Sequence, residues 1–139
     1  MGPSPSRPRL LVIQLDSSLL IEALVGPQST KDALQRTIRH GEVVALSTIA
    51  LYEWLRGPRT AAQVAIQEEM ISHDRLIPFG RQEAEVAALL YRTLRRPRAR
   101  DIELAIAACA LTHGAALWTL NPDDFRDIPD LTLFEPPRS

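Results

Sequence analysis

The sequence predicts a three-layer α/β/α sandwich with a mainly parallel central sheet. Short apolar runs rich in branched residues alternate along the chain with stretches of helical apolar spacing, as in repeated strand–helix units. Helix-capping residues and Gly or Pro punctuate these stretches. A chain of 139 residues that is 45% hydrophobic can fill one core. We therefore expect a single domain over residues 10–139, preceded by a polar, Pro-rich and disordered lead-in over residues 1–9.

The first predicted strand, Leu10–Leu15, is a short and mostly apolar run, as expected for a strand buried on both faces. A helix follows it directly. Asp16, Ser17 and Ser18 are all candidates for its N-cap, because each side chain can accept a hydrogen bond from a free helical N–H. Gly26 and the proline after it end this helix.

The next unit is a helix over Thr30–His40, with apolar residues on one side and Gly41 at its end. Val43–Leu46 is the second predicted strand. Either Ser47 or Thr48 then caps a third helix, which stops at a Gly-Pro pair.

Two further helices are predicted in the middle of the chain, over Thr60–His73 and Arg81–Arg95. The short run Leu76–Phe79 between them is a strand candidate. After the second of these helices, residues 95–100 form a basic loop broken by a proline.

The last part of the chain has the most distinctive order of elements. An apolar helix over Asp101–His113 ends at Gly114 and is followed by a strand over Leu117–Leu120. The residues Asn121–Asp124 form a turn. A final strand is predicted over Leu131–Phe134.

Charge and cysteine content limit the possible partners. The chain has 16 Lys and Arg against 17 Asp and Glu, a net charge of -1, so any nucleic-acid binding must be local. Cys109 is the only cysteine, which excludes an internal disulfide and favours a cytoplasmic protein. No apolar run approaches the roughly 18 residues needed to span a bilayer, so we expect no membrane partner. Phosphate-loop, dinucleotide, paired-cysteine zinc and serine-hydrolase motifs are all absent from the sequence.

Acidic residues recur at the ends of the apolar segments: Asp16, Glu53, Asp101, Glu103 and Asp124. In parallel sheets, sites form beyond the carboxyl ends of the strands. Asp16, Asn121 and Asp124 follow strands, so we expect all three at one edge of the sheet. Carboxylates gathered there would repel each other unless a cation lay between them. A site with oxygen ligands alone favours Mg²⁺ or Mn²⁺.

Each acid also has an ordinary structural explanation. Asp16 is a good helix cap, and Glu53 suits a solvated helix face. Asp101 and Glu103 complement the helix dipole, and residues two apart on a helix point in different directions, so we expect one of them to face the site. Asp124 fits an exposed turn.

Four segments together resemble the PIN-domain nucleases, and specifically the VapC-like toxins of type II toxin–antitoxin pairs: LDSSLLIEAL, STIALYEWLRG, ARDIELAIAACALTHGAALWTLNPDDF and IPDLTLFEP. The resemblance covers almost the whole chain beyond its first nine residues. Its most specific part runs from Glu103 to Phe125, where an acid three residues before IAA is followed by a strand and by N-x-x-D-F.

The resemblance implies which residues form the site. Asp16, Glu103 and Asp124 would bind the metal, Glu53 would bind it or orient water, and Asn121 would hold the cluster by hydrogen bonds. The family usually has Asp where this chain has Glu103, and an Asp stands two residues earlier, so Asp101 is the rival of Glu103 as a ligand.

The implied activity is Mg²⁺- or Mn²⁺-dependent cleavage of RNA by a toxin. Arg98, Arg100 and Arg56 would contact the RNA backbone, since an acidic site repels phosphate without such help. The implied partners are a second copy of the chain and a VapB-like antitoxin. Two alternatives stay open: a catalytically inactive PIN-like protein-binding module, and a nuclease directed at structured DNA.

Overall fold

A parallel sheet lies at the centre of the computed structural model, which describes residues 12–136. Within these residues the sheet has four strands in the order β3-β2-β1-β4, and all neighbours run parallel. The strands are β1 Val12–Leu15, β2 Val43–Ser47, β3 Leu76–Ile77 and β4 Ala116–Trp118. The predicted lead-in over residues 1–9 and the first two residues of the predicted strand Leu10–Leu15 lie outside the described residues.

Helices connect the strands and cover both faces of the sheet. They are α1 Ser17–Val25, α2 Gln28–Arg39, α3 Thr48–Leu55, α4 Ala61–Met70, α5 Arg81–Thr93 and α6 Asp101–Thr112. Successive residues of a strand point to opposite faces. Accordingly, Ile13 shares a buried cluster with Leu19 of α1, whereas Ala45, on the opposite face, packs with Cys109 of α6. The predicted three-layer architecture with a parallel sheet is confirmed.

Gln14 is a polar residue in the otherwise apolar strand β1, and it is fully buried. Its side-chain Nε2 donates to the backbone oxygen of Ile106 at 2.9 Å. The bond links the central strand to α6 and so fixes the helix that carries Asp101 and Glu103 at its start.

The two strands predicted near the end of the chain are shorter than expected. Leu131–Phe134 contributes only a single bridge, between Leu133 and Leu117, instead of a fifth strand. Asp130 before this run has a positive φ of 66°, and a proline follows it closely, so little extended chain is left to pair. Strand β4 ends at Trp118 instead of Leu120.

None of the helices within residues 12–136 has the length and apolar character to span a membrane.

Candidate active site

A cavity of about 320 Å³ opens at the carboxyl edge of the sheet, beyond the ends of β1 and β4. The structure brings every acid predicted from the sequence to its lining, together with the predicted amide: Asp16, Glu53, Asp101, Glu103, Asn121 and Asp124. These residues come from four separate parts of the chain. The general rule for parallel sheets therefore predicted correctly that these residues gather at one edge of the sheet.

Asp16 follows β1 and is only 6% exposed. It is the N-cap of α1, since its Oδ1 accepts a bond of 2.9 Å from the backbone N–H of Ser17. Its Oδ2 accepts bonds from the hydroxyls of Ser18, at 3.0 Å, and Thr119, at 2.7 Å. Capping and lining the cavity are thus compatible roles for this carboxylate.

Thr119 is a part of this arrangement that the sequence interpretation missed, because it was assigned to a strand. The residue directly follows β4, and its hydroxyl oxygen also accepts from the backbone N–H of Asn121 at 3.1 Å. It joins Asp16 to the turn after β4, although the two residues are 103 positions apart. A hydroxyl side chain between a strand and Asn121 was the available signal.

Glu53 lies on α3, and its side chain is 17% exposed. Its Oε1 accepts a bond of 2.7 Å from the hydroxyl of Ser17, while Arg56 Nη2 is 3.5 Å from its Oε2. Glu53 is therefore not on a freely solvated helix face. We call Asp16, Glu53 and the three hydroxyl residues Ser17, Ser18 and Thr119 the hydroxyl wall. Thr119 bonds Asp16 but does not itself line the cavity.

The opposite wall is organised by Arg100, whose side chain is 15% exposed. Its Nε donates to Glu103 Oε2 at 3.1 Å, and its Nη2 donates to the backbone oxygen of Asp124 at 2.7 Å. Nη1 and Nη2 also bond both carboxylate oxygens of Asp127, at 2.7 and 2.8 Å. We call Arg100, Glu103, Asp124 and Asp127 the arginine wall. Glu103 and Asp124 line the cavity, whereas Arg100 and Asp127 support them without lining it.

The ion pair between Arg100 and Asp127 shifts the pKa of both groups. Hydrogen bonds from Arg100 lower the pKa of Asp127, and those bonds raise the pKa of Arg100 in turn. The sequence interpretation missed Asp127, since nothing local marks an acid of the turn as the partner of an arginine 27 positions away.

The three arginines predicted to contact RNA differ in their surroundings. Arg98 and Arg56 are exposed, as a phosphate contact requires. The guanidinium of Arg100 is shielded and engaged by acceptors of its own wall.

Asp101 and Glu103 both line the cavity, so the expectation that only one of them faces it is wrong, and their spacing excludes neither as a ligand. Asp101 is exposed, whereas Glu103 is partly buried and bonded to Arg100. Among residues 12–136 the side chain of Asn121 makes no hydrogen bond to the acids. Its backbone N–H donates to the hydroxyl oxygen of Thr119, and its backbone oxygen accepts from the N–H of Asp124.

The donor set fits a hard divalent cation in its chemistry, since every candidate ligand offers oxygen. Within residues 12–136, the carboxylate of Asp124 and Oε1 of Glu103 accept no hydrogen bond, which leaves oxygens available. In that same part of the chain, no three acidic, histidine or cysteine side chains are already placed as a metal-binding group. Like-charged carboxylates disfavour such a close approach without a cation.

A family model for the PIN domain matches residues 13–131, a span that includes both walls. The chain belongs to the PIN-domain family. Over 128 residues it is 30% identical to Ribonuclease VapC1 of Rickettsia felis, an alignment that covers 86% of this chain and 92% of that protein. A second relative, Ribonuclease VapC of Rickettsia bellii, is 39% identical over 64 residues, covering 45% of this chain and 48% of that protein.

The PIN fold is also found in a solved structure, that of VapBC2 from Rickettsia felis bound to a DNA fragment from its promoter. The superposition has a TM-score of 0.68 at 21% identity and covers 89% of this chain and 98% of the other. This PIN domain is therefore VapC-like in its sequence and its fold.

Proposed function

We propose that this PIN domain is a Mg²⁺- or Mn²⁺-dependent endoribonuclease that acts as the toxin of a type II toxin–antitoxin pair. The observation that carries the proposal is the convergence of four sequence-distant acidic segments on one cavity. The names of the two relatives, both ribonucleases of the VapC type, support the same reaction.

In this proposal, Asp16, Glu103 and Asp124 hold the cation, with Asp101 as the rival of Glu103. When bound there, such a cation would supply Lewis-acid chemistry, activating water and offsetting charge on the scissile phosphodiester. The chain needs no nucleophilic side chain of its own.

Side chains of the protein orient the carboxylates and the water. Hydroxyls of Ser18 and Thr119 fix the carboxylate of Asp16, and the hydroxyl of Ser17 fixes that of Glu53. Glu53 then accepts a hydrogen bond from the attacking water and aligns it. Exposed Arg98 and Arg56 offset the repulsion between the acids and the RNA backbone. Single-stranded or looped RNA suits such a site, because its backbone bends into a cleft more readily than a duplex does.

The proposed partners are a VapB-like antitoxin and a second copy of the chain. Support for the antitoxin comes from the fold shared with VapBC2, which was solved as a toxin–antitoxin assembly. Tyr52 and Leu55 on α3, exposed by 58% and 49%, provide apolar surface for a partner.

The substitution Asp16→Asn tests the reaction. We expect RNA cleavage by a nuclease-free preparation of the variant in Mg²⁺ to fall by about 100-fold or more. Altering a residue that only supports a metal ligand already costs up to about 100-fold, and Asp16 is proposed as a ligand itself. A circular dichroism spectrum should show that the fold is kept. Asp123→Asn is the matched control, since its side chain is 90% exposed and lies next to the site without lining it. Full cleavage by Asp16→Asn would refute the proposal.

The second candidate is an inactive PIN-like protein-binding module. It is favoured by the Glu at position 103 and by its bond to Arg100. A titration with Mn²⁺ separates the two functions, because an inactive module would show neither saturable Mn²⁺ binding at these acids nor cleavage.

A further inference from the structure

Arg100 connects the two segments that carry Glu103 and Asp124. It stands at the N-cap position of α6, one residue before the helix begins. Its guanidinium reaches the Glu103 side chain within its own segment and the backbone oxygen of Asp124 in the turn after β4. One side chain therefore touches both acids that the arginine wall would contribute to a cation site.

The turn formed by residues 122–127 depends on this arginine for its polar contacts with other elements. Its backbone bonds are local, such as Asp124 N–H to the oxygen of Asn121 at 3.0 Å. The ion pair Arg126–Asp123 is local and exposed. Among residues 12–136, the hydrogen bonds that tie this turn to α6 all come from Arg100.

The contacts of Arg100 depend on the planar shape of its guanidinium group. Two nitrogens form a fork with both carboxylate oxygens of Asp127, and the third, Nε, is left for Glu103. A lysine ammonium cannot reproduce this planar, divided arrangement. Nε engages only Oε2 of Glu103, so Oε1 stays available to a ligand.

We propose, building on the proposed function, that Arg100 is a positioning residue that sets the separation between Glu103 and Asp124 for a divalent cation. Asp127 anchors the guanidinium, and the pair acts as one unit. Contact with RNA phosphate falls to the exposed Arg98 and Arg56 instead.

Two variants test this role in the full chain, Arg100→Lys and Asp127→Asn. Each should weaken Mn²⁺ binding, measured by electron paramagnetic resonance, by about 10-fold, as is typical when a partner of a metal ligand is altered. Amide hydrogen exchange of residues 123–127 should accelerate in both variants. The Michaelis constant for RNA at saturating Mn²⁺ should stay unchanged.

Matched controls exist on the same turn. Arg126→Lys and Asp123→Asn alter an ion pair of the same residue types, with side chains 61% and 90% exposed, and should leave Mn²⁺ affinity unchanged. Arg98→Gln should raise the Michaelis constant for RNA and leave Mn²⁺ affinity unchanged.

The possible results are distinct. If Arg100→Lys binds Mn²⁺ as tightly as the unaltered chain does, the positioning role is overturned and the proposed function stands. That conclusion holds even if the variant is less stable or binds RNA less well. If Arg100→Lys fails to fold, Asp127→Asn decides on the same criterion, because it keeps the arginine. If the unaltered chain binds no Mn²⁺, the proposed function fails and the positioning role fails with it.

Discussion

The two walls of the cavity hold their acids with different kinds of donor. On the hydroxyl wall, Asp16 is buried and accepts three bonds from neutral groups. On the arginine wall, Glu103 accepts from a cationic donor, and the exposed carboxylate of Asp124 accepts from no donor among residues 12–136.

The two kinds of donor orient acidic side chains for a cation in different ways. Neutral donors orient a carboxylate without cancelling its charge, so Asp16 keeps its full attraction for a cation. An arginine orients its acids more strongly but offsets part of their charge. The bonds that hold Asp16 should therefore be insensitive to salt, whereas the Arg100–Asp127 pair should respond to both salt and pH.

The largest expected contrast concerns stability when each wall loses an acid. Asp16→Ala removes an N-cap and the acceptor of two hydroxyls, one buried and one half-buried, and should lower the free energy of unfolding by about 3 kcal/mol. Asp124→Ala should change it by no more than about 0.5 kcal/mol, since that carboxylate has no bonded partner in the described chain. Urea unfolding in the presence of EDTA measures both. Equal losses would remove the distinction between the walls.

Thr119 gives a smaller but cleaner test of the hydroxyl wall. Thr119→Val keeps the shape of the side chain and deprives Asp16 and the Asn121 N–H of a partner, at an expected cost of about 2 kcal/mol in unfolding free energy. Thr119→Ser keeps the hydroxyl and should cost less than half as much. If the two variants were equally unstable, packing and not hydrogen bonding would explain the role of Thr119.

Salt should weaken the Arg100–Asp127 pair and leave the hydroxyl bonds of Asp16 unchanged. Asp127→Asn should cost about 0.5–1 kcal/mol at 0.1 M salt, because the pair is bidentate but its acid is 49% exposed. At 1 M salt that cost should shrink, since the screening length falls to about 3 Å. The cost of Thr119→Val should stay constant. A salt-sensitive Thr119→Val would contradict the comparison.

The smallest effect is the pH dependence of the same pair. Hydrogen bonds from Arg100 hold the pKa of Asp127 below its usual value of 3.8. A depressed pKa contributes stability that is complete above the usual value and is lost as pH falls through the folded one. The difference between the unaltered chain and Asp127→Asn should therefore be constant near neutral pH and disappear in acid, as measured by unfolding at a series of pH values.

The elements of the fold were predictable where local chemistry decides them. Capping residues and Gly marked the ends of the helices, and apolar runs marked the strands. The predicted strand Leu131–Phe134 was wrong: the run forms one bridge, from Leu133 to Leu117, and it follows a residue with positive φ, Asp130. That backbone conformation is set by the tertiary structure and is not written in the run itself.

The residues of the candidate site likewise divide into those that the sequence predicts and those that it does not. Its acids were found because they follow strands and match a family pattern. Thr119, Asp127 and the engaged state of Arg100 were not, since each depends on a partner distant along the chain. Pairwise contacts of this kind leave little trace in a single sequence.

The bond between Asp16 and Thr119 also limits how early during translation the site can assemble. Its two ends are separated by 103 positions, and the strand before Thr119 pairs directly with β1. Synthesis proceeds from the N-terminus. A nascent chain therefore presents Asp16 and Glu53 while Glu103, Asp124 and their arginine have yet to leave the ribosome. Under the proposed function, an unfinished polypeptide cannot cut the messenger from which it is being read.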